Sequence, residues 1–342
     1  MRKKSKPFIF CHSRAGGNPV LSFRFPPARE WNVGWLLTRS LKWSDAHIKM
    51  DFKYPLKIND RLWVLGNYYF NIYLVIGDNR SAIIETGVSA VVDTVISQLE
   101  ALAVSPDYLI LTHPHTDHFT GLPGLHERYP EALIIAHKEA EGFISHPKAE
   151  RAMLPEDRFI SEQLAKRGFV PGRVPLIQIS FPGKYEAVEQ SQDIDIGNIT
   201  LSLFQAKGHS PGNLVAHVPE LHAVFTSDSL GFHYPGRGFC PLYFTGFIDY
   251  LSTLERLSAM EAEIVCPGHQ GPILGSDVQA TFAMAKEGAT MIHRQIRKAR
   301  MEREELAANL FARFYKDEFT IYGESNIRNC MNLLIKRSVE VG

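Results

Sequence analysis

From Tyr54 onward the apolar and polar positions fall into a regular order. "RLWVLG", "FNIYLVIG" and "SAIIET" are short apolar runs closed by glycine, the third by Gly87, and they predict three strands. "AVVDTVISQLEAL" then spaces its apolar residues as a helix does, and Pro106 marks the exit. "YLILT" is a continuous apolar run of strand length, the pattern of a strand covered on both faces. "HFTGLPGLHERY" predicts a helix and "ALIIA" the next strand. This alternation predicts an α/β fold, in which ligands gather beyond the carboxyl ends of the strands.

Residues 138–175 predict helix, with Pro155 of "PEDRFISEQLAKRGF" suited to a first turn. "DIDIGNITLSLFQA", "NLVAHV" and "HAVFTSD" restore strand character, and "EIVCPGHQGPI" reads as a strand feeding a Gly/Pro loop. Past Ser276, Val278, Phe282, Ala285, Ala289, Ile292, Ile296 and Ala299 mark one apolar stripe on a long helix. "ELAANLFARFY" and "SNIRNCMNLLIKR" predict two more helices, the second with Ser325 as N-cap. The expected layout is a leader over 1–49, a catalytic α/β body over 50–276 and a C-terminal helical cap over 277–342.

Charge changes this picture at one end. The net charge is zero, yet residues 1–49 carry ten Lys/Arg against two Asp/Glu, leaving +8 there and −8 on the remainder. "MRKKSKPFIF" offers only "FIF" as an apolar core, short of the ~7–15 residues of a signal peptide. "HSRAGGNPV…PPARE" resembles translated repeat sequence found upstream of bacterial genes. The leader is therefore expected to be a disordered, dispensable arm, with Met50 as the natural start. Cys11, Cys240, Cys266 and Cys330 lack CxxC spacing, which argues against a disulfide framework and for a reducing cytoplasm. No apolar run approaches the ~18 residues that span a bilayer, so no membrane partner is expected.

The chemistry is concentrated in "LTHPHTDHFTG", which sets His113, His115 and His118 around Asp117. Imidazole and carboxylate are ligands for zinc and its neighbours, at about 2 Å and four to six per ion. His113 and His115 stand two apart on an extended segment and can point one way; Asp117 and His118 follow where the chain turns helical. Further ligands are available at strand-end turns: His209 in "AKGHSPGN", Asp228 in "FTSDSLG" and His269 in "CPGHQGP". Glycine beside these residues allows close backbone approach.

The ordered set, from Leu56 to Leu274, resembles the metallo-β-lactamase superfamily. The resemblance implies a four-layer αββα sandwich and two divalent metal ions, zinc or otherwise iron or manganese. By the same resemblance His113, His115 and His209 would hold one ion, Asp117, His118 and His269 the other, and Asp228 would bridge. "ETGVS" departs from the family's usual Asp-x-Gly by placing Glu85 where an aspartate supports the site. Such an ion pair would lower the pKa of a shared water toward ~7, giving a bridging hydroxide and a hydrolase. Asp117 is the candidate catalytic residue, as hydrogen-bond acceptor for that water.

Within the superfamily, Asp228 argues against true β-lactamases, and His115 against flavodiiron oxidoreductases, which carry glutamate there. The thioesterase branch, with its hydroxyacylglutathione hydrolases and 2-aminobenzoylacetyl-CoA thioesterases, is the nearest likeness. It is carried by the glutamate of "ETGVS", by "FIDYLSTLERL" and by two long C-terminal helices. The expected substrate is a small acyl thioester or ester. An endoribonuclease is the alternative, supported by "HRQIRKARMER" but opposed by the −8 of the body; a regulatory adaptor with incidental hydrolysis is the second. The aromatic loop "GFHYPGRGFCPLYFTGF" suggests either an acyl pocket or core beneath the cap, and His233 within it could reach a substrate.

Overall fold

The computed structural model describes residues 53–169, 172–234 and 237–341. The expected leader over 1–49 lies outside the described residues.

The chain opens with β1 (Leu56–Lys57), β2 (Leu62–Gly66), β3 (Asn71–Ile76) and β4 (Ser81–Ile84), an antiparallel run. A 3-10 turn at Ser89–Val91 leads into α1 (Val92–Ala101), then β5 (Tyr108–Ile110). The helix expected from "HFTGLPGLHERY" is two pieces, α2 (Thr116–Phe119) and α3 (Leu122–Arg128), followed by β6 (Leu133–His137). At the break Gly121 N–H goes to the Gly87 carbonyl at 3.0 Å and Pro123 has no N–H to give, so the helical ladder is interrupted. A Cβ on Gly121 would lie 2.0 Å from the Thr86 carbonyl oxygen, so this turn is pressed against the β4 exit. β4, β5 and β6 run parallel, as their helical crossovers require.

Helix appears next as α4 (Glu139–Ile144) and α5 (Pro147–Lys166), shorter than the expected 138–175. Pro147 occupies the first turn, with His146 as N-cap, and Pro155 lies inside α5 rather than opening it. β7 (Tyr185–Val188) closes the first sheet, whose order is β1-β2-β3-β4-β5-β6-β7.

The second sheet is built from β8 (Ser191–Asp195), β9 (Thr200–Gln205), β10 (Leu214–Val218) and β11 (Ala223–Ser227). After it come a hairpin, β12 (Phe232–Tyr234) with β13 (Gly238–Cys240), and α6 (Phe247–Ser258). β14 (Ile264–Pro267) and β15 (Ile273–Leu274) complete the sheet in the order β15-β14-β11-β10-β9-β8.

Strand parity assigns the layers. Tyr73, Ile84 and Ile110 of the first sheet meet Leu203, Leu214 and Phe225 of the second in one core. Their neighbours Leu74, Ile83 and Leu109 turn outward to pack with α1, α3 and α5; Val215, Val224 and Val265 do likewise against α6. The result is helix, sheet, sheet, helix.

Three helices follow: α7 (Asp277–Lys298), α8 (Arg303–Phe314) and α9 (Glu324–Glu340). Val278, Phe282, Ala285, Ala289, Ile292 and Ile296 are buried, as the stripe requires, whereas Ala299 sits at the C-cap, half-buried. Gly323, not Ser325, caps α9, and its N–H is taken by Glu156 of α5 at 2.9 Å. In the aromatic loop Phe232, Tyr234, Phe239, Leu242 and Tyr243 are core beneath these helices, while Phe244 of the same stretch is half-buried. Arg294, Arg297, Lys298, Arg300 and Arg303 are exposed, a solvated helix face. Cys240, Cys266 and Cys330 are free thiols, and among the described residues no helix is long and apolar enough to cross a membrane.

Candidate metal centre

All seven residues singled out in the sequence converge where β4, β5, β11 and β14 end, between the two sheets. His113 and His115 lie on the extended exit of β5, and Asp117 and His118 on α2. His209 follows β9, Asp228 follows β11 and His269 follows β14. Backbone bonds seam the sheets at this end: Leu214 N–H donates to the Thr112 carbonyl at 2.7 Å, and Asn71 N–H to Gly268 at 2.8 Å. Gly208 and Gly268 are needed for the fit. A Cβ on Gly208 would come within 2.3 Å of the Tyr250 backbone, and one on Gly268 within 2.8 Å of the His118 ring.

The ligand-capable atoms form two groups, His113, His115, His209 and Asp228, and Asp117, His118, Asp228 and His269; within each they lie within 4.8 Å of one another. In the first, His115 Nδ1 is 3.0 Å from His113 Nε2 and 3.1 Å from His209 Nε2, which are 3.2 Å apart. Ligand atoms placed tetrahedrally at ~2.0–2.1 Å from a cation stand about 3.3 Å apart. In the second, Asp117 Oδ2 is 3.4 Å from both His118 Nε2 and His269 Nε2. Asp228 faces both groups, with Oδ2 3.5 Å from His209 Nε2 and Oδ1 3.2 Å from His269 Nε2.

The outer faces of the rings support the same reading. His209 Nδ1 donates to the Leu242 carbonyl at 2.8 Å and His269 Nδ1 to that of Tyr69 at 2.6 Å. His118 Nδ1 meets Glu85 Oε2 at 2.7 Å, and His113 Nδ1 lies 3.2 Å from Ser227 Oγ. Each of these bonds fixes a ring and turns Nε2 inward, the arrangement that metal-binding histidines need. His118 Nε2 is buried without a hydrogen-bond partner. The donor set, its spacing and this orphaned nitrogen fit divalent cations.

Electrostatics point the same way. Burial, reinforced by neighbouring imidazoles, pushes His113 well below the ordinary histidine pKa and His115 down to about 3. Burial also opposes charge on His118, but Glu85, Asp117 and Asp228 outweigh it and hold that ring well above its usual value. His269 is carried by Asp228 and Asp117, against burial, up to about 10. For Asp117 and Asp228 burial is likewise outweighed, by His118 and His269, and both carboxyls fall well below the usual range. Without a cation, protons on His118 and His269 balance the two aspartates; a cation would take over that task.

The family model of the metallo-beta-lactamase superfamily matches residues 66–269. The chain belongs to that superfamily. Hydroxyacylglutathione hydrolase of Ruegeria pomeroyi is 27 % identical over 205 residues, spanning 57 % of this chain and 64 % of that protein. The match thus leaves over a third of that relative's length uncovered. Acyl-coenzyme A thioesterase MBLAC2 of Homo sapiens is 25 % identical over 227 residues, 62 % of this chain and 76 % of the relative. Among solved structures, a beta-lactamase domain protein from Burkholderia ambifaria superposes with a TM-score of 0.60 at 16 % identity, covering 84 % of this chain and 88 % of that one. An archaeal superfamily protein from Sulfolobus tokodaii gives 0.53 at 19 %, covering 82 % and 98 %. These superpositions show the metallo-β-lactamase fold; in this chain α7–α9 follow the second sheet at the C-terminal end.

Sequence reasoning missed Tyr322 and Phe143 and touched Phe244 only as part of the aromatic loop. Tyr322 donates its hydroxyl to Asp117 Oδ2 at 2.8 Å and lies 3.3 Å from His269 Nε2. Phe244, half-buried, flanks His209 and His115 at ring separations of 5.4 and 6.3 Å, and Phe143 stands 6.2 Å from His115. Nothing local to "TIYGESN" marks Tyr322, since only the docking of the C-terminal helices brings it in. His233, read in the sequence as structural and able to reach a substrate, lies against the Phe239 ring at 4.8 Å and belongs to neither ligand group.

Proposed function

We propose that this protein is a dinuclear metal-dependent hydrolase acting on a small acyl thioester or ester. The single observation carrying this reading is the pair of four-residue groups that share Asp228. His113, His115 and His209 would hold one ion, Asp117, His118 and His269 the other, with Asp228 bridging. Two divalent ions, zinc or alternatively iron or manganese, would supply an activated water at neutral pH and polarise the scissile carbonyl. Asp117, held at Oδ2 by Tyr322, would accept a hydrogen bond from the attacking water at its other oxygen. Glu85 keeps His118 oriented through Nδ1. His115 is the most exposed of the five histidines, so substrate would enter on its side, between Phe143 and Phe244. That apolar flank suits an acyl chain, and the names of the two relatives, a glutathione-thioester and an acyl-CoA hydrolase, support a thioester. The same reading takes 50–276 as catalytic body, 277–342 as helical extension, 1–49 as dispensable and the free thiols as a sign of a reducing cytoplasm.

The test combines metal analysis of the purified full chain with a panel of acyl-CoA, glutathione thioester, phosphodiester and single-stranded RNA substrates. Close to two ions per chain and thioester cleavage lost in His113→Ala are the expected results. Full activity without metal would overturn the metal reading; cleavage of RNA alone would replace the thioesterase by a ribonuclease. Activity-independent function surviving His113→Ala would favour the adaptor.

A further inference from the structure

Tyr322 lies between a 3-10 turn (Asp317–Ile321) and α9, and only 6 % of its surface is exposed. Two other buried phenols give their proton to a backbone carbonyl, Tyr73 to Pro267 at 2.7 Å and Tyr234 to Phe314, and a third, Tyr243, pairs with the Ser338 hydroxyl at 2.9 Å. Tyr322 gives its proton instead to Asp117 Oδ2, and its oxygen faces His269 Nε2. Both partners belong to the same ligand group. A hydroxyl donating to a carboxylate makes a charge-assisted bond, stronger than one to a neutral carbonyl.

The backbone around it is clamped from two sides. Tyr315 donates its hydroxyl to the Tyr322 carbonyl at 2.9 Å. Glu156 of α5 accepts the Gly323 N–H at 2.9 Å and the Asn326 side-chain amide at 3.1 Å. The ring meets Phe319 and Phe232 edge-on, with centroids 5.6 and 6.1 Å away. The side chain thus has little freedom to leave Asp117, and the C-terminal extension reaches the candidate centre through this residue.

We propose that Tyr322 is a positioning residue of the Asp117–His118–His269 half-site, fixing the Asp117 carboxylate so that a second cation is bound only while the C-terminal extension is docked. This rests on the metal-centre reading given above. Removing such an outer hydrogen bond typically costs a metal site 10–100-fold in affinity. Because the bond touches one group only, the loss falls on one ion.

The test is a titration of the full chain, first stripped of metal, with zinc in competition with a chromophoric chelator, for the wild type and Tyr322→Phe. The wild type is expected to take two ions, and the variant to bind the first unchanged and the second about 10–100-fold more weakly. A wild type that takes fewer than two overturns the dinuclear centre itself. A wild type that takes two while the Phe variant matches it in both steps overturns the role of Tyr322 alone. That role is equally overturned if the variant melts lower in chelator yet binds zinc normally, since Tyr322 then contributes packing only. Should Tyr322→Phe not fold, Tyr315→Phe, which releases only the clamp on the Tyr322 carbonyl, is expected to weaken the second step in the same direction. Unchanged zinc binding there would overturn the proposal.

Discussion

Glu85→Ala isolates what one buried carboxylate contributes to the candidate centre. Glu85 Oε2 lies 2.7 Å from His118 Nδ1 and accepts the Thr112 hydroxyl at 2.8 Å, with all three side chains buried. Alanine leaves the ring N–H without an acceptor and lets the imidazole turn its Nε2 away from Asp117 and Asp228. A lost outer partner of this kind costs about 10–100-fold in metal affinity, or roughly 1.4–2.7 kcal/mol. That range agrees with the ~1.5–3 kcal/mol of a hydrogen bond to a charged group. Glu85→Asp sets two effects against each other. Aspartate tolerates the positive φ of 77° at this position better than glutamate. Its arm, however, is shorter by one bond of about 1.5 Å, so the reach to His118 is lost unless the backbone follows. Calorimetric titration with zinc against a chelator resolves the two binding steps. The expected order for the weaker step is wild type, then Asp, then Ala, with the other step constant. Equal weakening of both steps, or of neither, would refute the reasoning.

Other perturbations probe the same frame. In chelated protein His269 carries a pKa of about 10 against 6.5 unfolded, so its contribution is complete below pH 6.5 and is lost as pH rises toward 10; a melting series should fall from pH 6.5 to 10, and zinc should flatten it. Asp157, fully buried, accepts from Ser89 N–H and Oγ, Thr120 Oγ1 and Leu176 N–H at 2.6–3.2 Å; Asp157→Ala strands these donors and should cost roughly 3–5 kcal/mol in urea unfolding. Ile292, 0 % exposed at mid-stripe on α7, should cost about 2–5 kcal/mol when cut to alanine, and a change below 1 kcal/mol would mean that α7 is not part of the cooperative core.

The legible part of this protein was local. Seven ligand-capable residues declared themselves because each lies in the short turn, or the short helix α2, that follows an apolar run, and strand direction carries these segments to one end. What escaped depends on partners distant in sequence. Pro155 resembles a helix start until His146 and Pro147 supply an earlier one. Ser325 resembles a cap until Glu156 takes the Gly323 N–H. Tyr322 is 205 residues from Asp117, and no period or motif predicts that meeting.

The order of strands along the chain has one more consequence. The first sheet ends with Val188 and the second begins at Ser191, so the boundary between the layers is also a single point in the sequence. His113, His115, Asp117 and His118 precede that point; His209, Asp228 and His269 follow it. On the proposed assignment each ion therefore draws half its ligands from either side. Cutting the polypeptide between Val188 and Ser191 would leave two fragments, each holding part of both sites, with the ions acting as rivets between them. Reassembly of such a split protein would draw first on the apolar core that the two sheets share, and free metal would then tighten it.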